Sequence, residues 1–408
     1  MITYIEKLLK GQPVEWKTLG EVGTFVRGSG LPKKDFTESG IGCIHYGQIY
    51  TKYGLCADRT LSFCSEETAR KLVRVQKGDL IIACTSENVE DVCKAVTWLG
   101  EDEIVTGGHT YVYKHKQNAK FIAYYFTTEA FSREKRKCAQ GTKVIDCKAS
   151  DLARIPIPIP PLSVQEEIVC ILDKFTELEA ELEAELEARK QQYEYYRNSL
   201  LSFANDLEGG GKIVYKTLGE VFFMRNGYTP SKAKKEFWEG GTIPWYRMED
   251  LRAGTRVLSD AIQHVTPEAI KGKGLFKANS IIMATTATIG EHALLAVEAL
   301  ANQQFTNFEI NPEYKEMLLP KFAYYYFFVI DAWCKQNTNV SSFPSVAISN
   351  LKTQEIPIPP LAEQARIVNI LDKFDMLTNS LTEGLPREIE LRRKQYEYYR
   401  EQLLSFPA

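Results

Sequence analysis

Histidine is scarce in this chain, with five residues in 408. They are too scattered to nominate a Ser/His/Asp set, and no HExxH pair exists to hold a catalytic zinc on one helix face. No GxxxxGK[ST] loop is present to cradle nucleotide phosphates. No Cys-x-x-Cys occurs either. The nine cysteines are odd in number and irregularly spaced, seven of them between Cys43 and Cys147. That pattern argues against a disulfide framework or a structural zinc and predicts reduced, mostly buried thiols. Cys43 and His45 are the nearest thing to a ligand pair and read as two packing residues. An amino-methyltransferase needs an [N/D]PP[Y/F] loop for the target base. The one near match, Asn311-Pro312-Glu313-Tyr314, has Glu313 for the second proline and no FxGxG loop upstream, so it reads as an ordinary turn. No apolar run reaches the roughly eighteen residues of a membrane span. The start, MITYIEKLLKGQP, lacks the basic, apolar and small-residue regions of a signal peptide, which points to the cytoplasm.

Charge of one sign is also lacking overall, at a net −3, but its distribution is uneven. Residues 17–155 hold 21 Lys+Arg against 17 Asp+Glu, a net of +4, and residues 216–355 hold 15 against 14, a net of +1. Between them, residues 156–215 hold 5 against 12, a net of −7. The weak positive balance of the two flanking regions permits nucleic-acid binding without requiring it. At 408 residues, with 44% hydrophobic and 25% charged content, the chain suits two soluble domains rather than one core.

What is present is a duplication. KTLGEV at 17–22 returns at 216–221, IPIPPL at 157–162 returns at 356–361, and ILDKF at 171–175 returns at 370–374, always 199 residues on. QYEYYR at 192–197 returns at 395–400, an offset of 203, because the second copy carries four extra residues. Leu8–Trp16 aligns with Leu207–Tyr215, so the duplication is circular: the N-terminal segment completes the C-terminal one. The copies agree at their edges and disagree between them.

Residues 163–203 predict one long helix of roughly 60 Å at about 1.5 Å per residue. Ser163-Val164-Gln165-Glu166 reads as a capping box. An apolar stripe then runs through Ile168, Ile171, Phe175, Leu178, Leu182, Leu186, Tyr193, Tyr196, Leu200 and Phe203. Within it, LEAE at 178–181 and 182–185 is followed by LEAR at 186–189. Leucine every four residues drifts around the helix, giving a spacer with a slowly rotating seam. Residues 362–405 repeat the stripe, and Gly384 and Pro386 predict a break. The regions between read as mixed α/β, with strands at Asp79–Ala83 and Ser280–Met283 and helices at Tyr124–Phe131 and Phe322–Trp333. LIIACTS (80–86) falls opposite IIMATTA (281–287).

IPIPPLsvQeeIvcILDKF and IPIPPLaeQarIvnILDKF, at 157–175 and 356–374, resemble the conserved regions of the specificity subunit of type I restriction–modification systems. RNGYTPSKAKKEFWEGGTIPWYRMEDL (225–251), ATTATIG (284–290) and ALANQQFTNFEI (299–310) resemble that family's target-recognition domains. In the first copy GCIHYGQIY (42–50) and GGHTYVYK (107–114) take the places of the IPW and NQQF elements. The LEAE repeats are similar to those of the family's class C. The resemblance implies two α/β target-recognition domains, 17–155 and 216–355, separated by two long antiparallel helices that form a coiled coil with circular pseudo-twofold symmetry. The helical spacer would be 156–215, and the segments 356–408 and 1–16 would together form its counterpart. It further implies a subunit without catalysis or cofactor. Each domain would read half of an asymmetric double-stranded DNA site. Two modification subunits would bring S-adenosylmethionine and two restriction subunits ATP and Mg²⁺.

Base edges are read by Arg, Lys, Asn, Gln, Ser and Thr side chains carried on loops, and phosphates by Lys and Arg. In the first domain this selects His45, Tyr46 and Gln48, then Thr85, Ser86 and Asn88, then His109 and Thr110, and Thr142 with Lys143. In the second it selects Arg225, Tyr246 and Arg247, then Thr285, Thr286 and Thr288, then Asn302, Gln303 and Gln304, and Ser341 with Ser342. For each residue alone, a solvated or packing side chain explains it as well; the clusters carry the expectation. Lys33-Lys34, Lys232, Lys234-Lys235 and Arg133–Lys137 are phosphate candidates. Two other readings are open. A single-chain methyltransferase or nuclease lacks its motifs, and a coiled-coil scaffold leaves the unlike regions between matching edges unexplained.

Overall fold

The computed structural model describes residues 4–203, 213–252, 256–272, 274–339, 344–380 and 382–406. They form two compact units. One holds the described residues up to Ala180 together with those from Leu391 on, and the other holds Glu181–Glu390. The division falls inside the central helix, Leu162–Leu200, so each unit draws its helices from both of the helical segments seen in the sequence.

The repeated text at the edges is one piece of structure in each unit. Glu15–Thr18 pairs antiparallel with Pro156–Ile159, and Val214–Thr217 with Glu355–Ile358. A two-stranded ribbon tolerates the alternating prolines, which lack an amide donor, because each has a free edge. Ile157 and Ile356 lie buried beneath it. The strand then turns into a short helix closed by a capping box: Thr18 accepts from the Glu21 amide while Glu21 accepts from the Thr18 amide, and Thr217 and Glu220 repeat it. KTLGEV and IPIPPL are therefore the two halves of a single clasp.

Each clasp closes a layered α/β body. In the first unit a five-stranded sheet runs, in spatial order, Gly23–Arg27, Thr110–His115, Leu80–Ala83, Ala95–Trp98 and Cys56–Ala57. In the second, Phe222–Asn226, Phe305–Ile310, Ile281–Ala284, His292–Leu295 and Val257–Leu258 repeat that order. The central strands are buried on both faces, and the period of two divides them. Leu80 and Ile82 join a core with Phe121, Ile122 and Tyr125 of the helix Ala119–Tyr125, whereas Ile81 and Ala83 join Ile44, Val75 and Val96 on the other face. Ile281 and Met283 likewise meet Phe322 and Phe327 of the helix Pro320–Gln336, and Ile282 and Ala284 meet Tyr246 and Ala301. The second sheet has five strands in the first unit and three in the second, with a parallel pair in both.

Two local expectations are corrected and a third is met. The central helix begins at Leu162, so Ser163 lies inside its first turn and does not cap it. The Pro161 carbonyl accepts from the Val164 and Gln165 amides instead. Fully buried Gln165 then donates from Nε2 to the Pro160 carbonyl at 2.8 Å and accepts the Asn118 amide at 3.0 Å. Gln364 repeats this with the Pro359 carbonyl at 2.7 Å and the Leu319 amide at 2.8 Å. The span Tyr124–Phe131 is two helices, Ala119–Tyr125 and Glu129–Cys138, because Thr128 caps the second by accepting from the Phe131 amide. The C-terminal helical segment is also two helices, Leu361–Asn379 and Leu385–Leu403, divided where Gly384 and Pro386 predict a break.

Helix pairing follows the circular order. In the first unit Phe175 stacks on Tyr399 at 5.4 Å, and Glu179 pairs with Arg393, so these two helices run antiparallel. Ile5 and Leu9 of the N-terminal helix Tyr4–Leu9 share that unit's core with Leu403, Leu404 and Phe406. In the second unit Tyr193 and Tyr196 stack on Phe374 at 6.1 and 5.5 Å. Among the described residues, no helix is long and apolar enough to cross a membrane.

Candidate nucleic-acid interface

Strand direction brings the candidate loops together. Ile41–Ile44 and Ile104–Thr106 are parallel, so the segments that follow them, His45-Tyr46 and Gly107–His109, leave the sheet at the same end. Leu80–Ala83 runs antiparallel to Thr110–His115, with Ala83 opposite Thr110, which places the Thr85–Asn88 loop beside His109. The Cys84 amide donates to the His109 carbonyl at 2.9 Å. Ile145–Cys147 pairs with Thr85-Ser86 and adds the Thr142-Lys143 turn. In the second unit Ile243–Tyr246 and Leu300–Ala301 are parallel, delivering Arg247 and Asn302–Gln304 together. Ala284 lies opposite Phe305, and the Thr285 amide donates to the Gln304 carbonyl at 3.0 Å. Each unit thus gathers its separate sequence clusters at one edge.

In the first unit that edge is aromatic and weakly cationic. The rings of His45 and Tyr46 lie 4.4 Å apart and those of Tyr46 and His109 5.0 Å apart, ending at exposed His109. His109 has a φ of +64°, a left-handed conformation that turns the chain sharply between the two sheets. His45 caps the helix Tyr46–Thr51 by accepting the Gly47 amide on Nδ1 at 3.1 Å. Burial, then Lys33 and His109, hold its pKa below the usual histidine value. Gln48 returns the cap by accepting the His45 amide and donates to Ser62 at 2.7 Å. Thr85 and Ser86 are half-buried strand residues, and Asn88 is exposed but engaged with Asp91. Thr110 is fully buried and bonded to Gly107 and Thr106, whereas Thr142 and Lys143 are exposed.

In the second unit the outward positions are amides. Gln303 is exposed and accepts from Thr229 at 2.6 Å. Asn302 accepts the Gln304 amide at 3.0 Å and donates to the Gln304 side chain at 3.1 Å, which fixes both. Arg247 pairs with Glu249 at 2.6 Å. Thr286 and Thr288 are half-buried. Three selected residues face the protein interior. Tyr246 is fully buried, and Thr285 bonds to Thr306 at 2.9 Å. Arg225 donates to the Gly274 and Leu275 carbonyls and lies 4.7 Å over the Phe276 ring. Ser341 and Ser342 lie outside the described residues.

Sequence reasoning passed over Gly28 and Gly227, 199 positions apart. A Cβ on Gly28 would meet the Gly107 carbonyl at 1.9 Å, and one on Gly227 the Ala301 and Asn302 carbonyls at 2.3 Å. Only glycine lets the first strand pass so close behind the loops. The signal was in the text, since both follow the same clasp by the same interval. Of the lysine runs, Lys234 pairs with Glu236 and Lys235 with Glu239. Arg136 and Lys137 pair with Glu129 and Glu134, and Lys135 is buried against the Glu90 carbonyl. Lys33 and Lys34 form no ion pair among the described residues, which also contain no cluster of metal ligands.

Comparison with known proteins agrees with this geometry. The model of the type I restriction modification DNA specificity domain matches residues 13–188 and again 211–391. Over 422 residues the chain is 36% identical to the specificity subunit of the Escherichia coli type I restriction enzyme EcoR124I/EcoR124II, covering 100% of this chain and 98% of that one. A chain solved in connection with complex assembly and conformational transition of the type I R-M system superposes with a TM-score of 0.68 at 16% identity, covering 96% and 98%. The type I restriction-modification S subunit of M. genitalium gives 0.51 at 15% identity, covering 97% of each chain. With two copies of that domain, each closed by its own clasp and bearing its own loops, the chain belongs to the family of type I restriction–modification DNA specificity subunits.

Proposed function

We propose that this chain is the non-catalytic DNA-reading subunit of a type I restriction–modification complex, and that each unit reads one half of a bipartite, asymmetric site. One observation carries the reading: the two units share sheet order and clasp, yet present unlike side chains at the same edge. That edge holds His45, Tyr46 and His109 in the first unit and Arg247, Asn302 and Gln303 in the second. Equal frames with unequal loops suit two different half-sites, since base identity is read by side chains and register is set by the scaffold. The central helix, with its LEAE repeats, sets the gap between the halves.

Recruitment follows from the same duplication. Tyr195 is 69% exposed and its counterpart Tyr398 62% exposed, and Leu162 and Leu361 are exposed at equivalent positions. The same exposed apolar residues displayed twice suit two copies of one partner. Two modification subunits supply S-adenosylmethionine-dependent adenine methylation, and two restriction subunits bring ATP and Mg²⁺ for translocation and cleavage. The complex works on double-stranded DNA in the cytoplasm. The test is to co-express the chain with its modification subunits and map methylated adenines. A split motif is expected, and exchanging residues 216–355 for those of a relative should change one half only. Methylation or cleavage by the isolated chain, or a change in both halves, overturns the reading.

A further inference from the structure

The second unit contains a cleft of about 790 Å³ that the reading loops do not account for. Its wall carries five cations, Lys190, Arg197, Arg252, Arg256 and Lys321, against three carboxylates, Glu194, Asp372 and Asp375, leaving two positive charges in excess. Lys321 is neutralised by Asp372 at 2.6 Å, and Arg252 approaches Glu291 at 3.5 Å. Asp375 accepts from Asn379 at 2.9 Å. Lys190, Arg197 and Arg256 form no ion pair among the described residues.

The arginines are held in place without being consumed. The Arg197 guanidinium lies 4.3 Å over the Phe328 ring and 5.3 Å over Tyr193, and Arg256 lies 5.4 Å over Phe328. Stacking uses the guanidinium face and leaves the in-plane N–H donors free for an oxyanion. Arg197 Nε is buried without a hydrogen-bond partner, as is Arg400 Nε in the first unit, so this feature belongs to the repeated frame and it is the unpaired cations that mark the cleft.

The first unit repeats only part of this arrangement, with Arg400 5.6 Å over the Tyr396 ring. At the equivalent positions it has Thr51, Leu55 and Thr127 in place of Arg252, Arg256 and Phe328. The equivalents of Arg197 and Lys190 are Arg400 and Arg393, which pair with Glu401 and Glu179. Arg252, Arg256 and Phe328, the residues that set this cleft apart, therefore come from the second variable region, and most of the remaining wall comes from the frame helices. The cleft also adjoins that region's reading edge. Glu291 closes the base of the Thr285–Gly290 loop by accepting the Ala284 amide at 2.8 Å, and the His292 ring packs 4.6 Å from Phe328.

We propose that this cleft is a phosphate clamp, gripping the DNA backbone beside the half-site read by the second unit, with Arg197, Arg256 and Lys190 as its donors. The proposal rests on the DNA-reading function above and adds an asymmetry to it: one half-site is held by backbone contacts that the other lacks. A bidentate guanidinium–phosphate contact fixes position without reading sequence.

The test uses the full complex with modification subunits and a duplex carrying its mapped site. Lys190→Gln with Arg256→Gln removes two exposed-side donors. It should weaken binding at physiological salt and reduce the slope of log affinity against log salt by about 2, at ~0.9 per phosphate contact. The methylated sequence should be unchanged. A second variant, Arg252→Thr/Arg256→Leu/Phe328→Thr, installs the first unit's residues, removes one named donor and the ring beneath Arg197, and should reduce the slope by about 1. An unchanged slope overturns the clamp while leaving the reading function standing. Loss of the modification subunits with DNA affinity otherwise intact would overturn it in favour of a protein-docking cleft. If the wild-type complex showed no sequence-specific binding, the reading function itself would fall.

Discussion

The Tyr124 hydroxyl donates to Asp173 at 2.8 Å, and 201 residues later along the chain Tyr325 donates to Asp372 at 2.6 Å. Each carboxylate also takes a lysine, Lys120 at 2.7 Å or Lys321 at 2.6 Å. These are the aspartates of the repeated ILDKF, and each ties a frame helix to the helix of its own recognition body. Asp173→Ala removes the buried phenol's short acceptor and leaves it only the Thr176 hydroxyl at 3.4 Å, so it should destabilise the first unit by about 1–3 kcal/mol. Asp372→Ala should do the same to the second. Chemical denaturation followed by tryptophan fluorescence measures both. If either substitution proves neutral, the latch is incidental.

His45 should make the first reading edge acid-sensitive. Its Nδ1 accepts the Gly47 amide, which only the neutral ring can do, and burial, Lys33 and His109 lower its pKa. Because the folded state favours the neutral form, the unfolded chain takes up this proton first on acidification. The stability it contributes is therefore present above about pH 6.5 and is lost as pH falls through the folded pKa. Imidazole NMR should place the His45 midpoint below that of a free histidine. His45→Asn keeps a capping side chain but cannot titrate, so it should flatten the fall.

Gln303 is the exposed amide at the second edge. Gln303→Ala should relax the methylated motif in one half-site, with a loss of about 1–3 kcal/mol of discrimination at one base pair. The other half-site should be untouched. Methylation mapping in cells carrying the full system reads the outcome, and an unchanged motif would remove Gln303 from the recognition set.

Gly28→Ala should be poorly tolerated, since the new methyl would sit 1.9 Å from the Gly107 carbonyl. The strand behind His109 would have to move. The expected result is weaker binding to the first half-site, with the clasp still formed, seen as altered hydrogen exchange confined to residues 107–110. Gly30→Ala meets nothing within 4 Å and serves as the control.

Deleting Leu182–Glu185 removes one LEAE repeat and about 6 Å of helix at ~1.5 Å per residue. At about 3.4 Å of rise per base pair, the gap in the methylated motif should shrink by roughly one or two base pairs. Both half-sites should keep their bases. A change in half-site sequence with constant spacing would show that the repeats are not the spacer.

The sequence by itself determined the plan. Repetition is visible without a fold, so KTLGEV, IPIPPL, ILDKF and QYEYYR marked two copies, their circular order and the interrupted second helix. Strong periodicity placed the central helix and the buried strands to within a few residues, because a 3.6 or 2 repeat survives in the text. Tertiary structure decided what the repeats do. That KTLGEV pairs with IPIPPL, and that Gln165 rather than Ser163 stands at the helix start, depends on contacts between residues far apart in the chain, which local propensity does not encode. The same holds for the reading edge. Polar loop residues look alike in sequence, and only parallel strand pairing separates exposed His109 and Gln303 from buried Thr110, Thr285 and Tyr246.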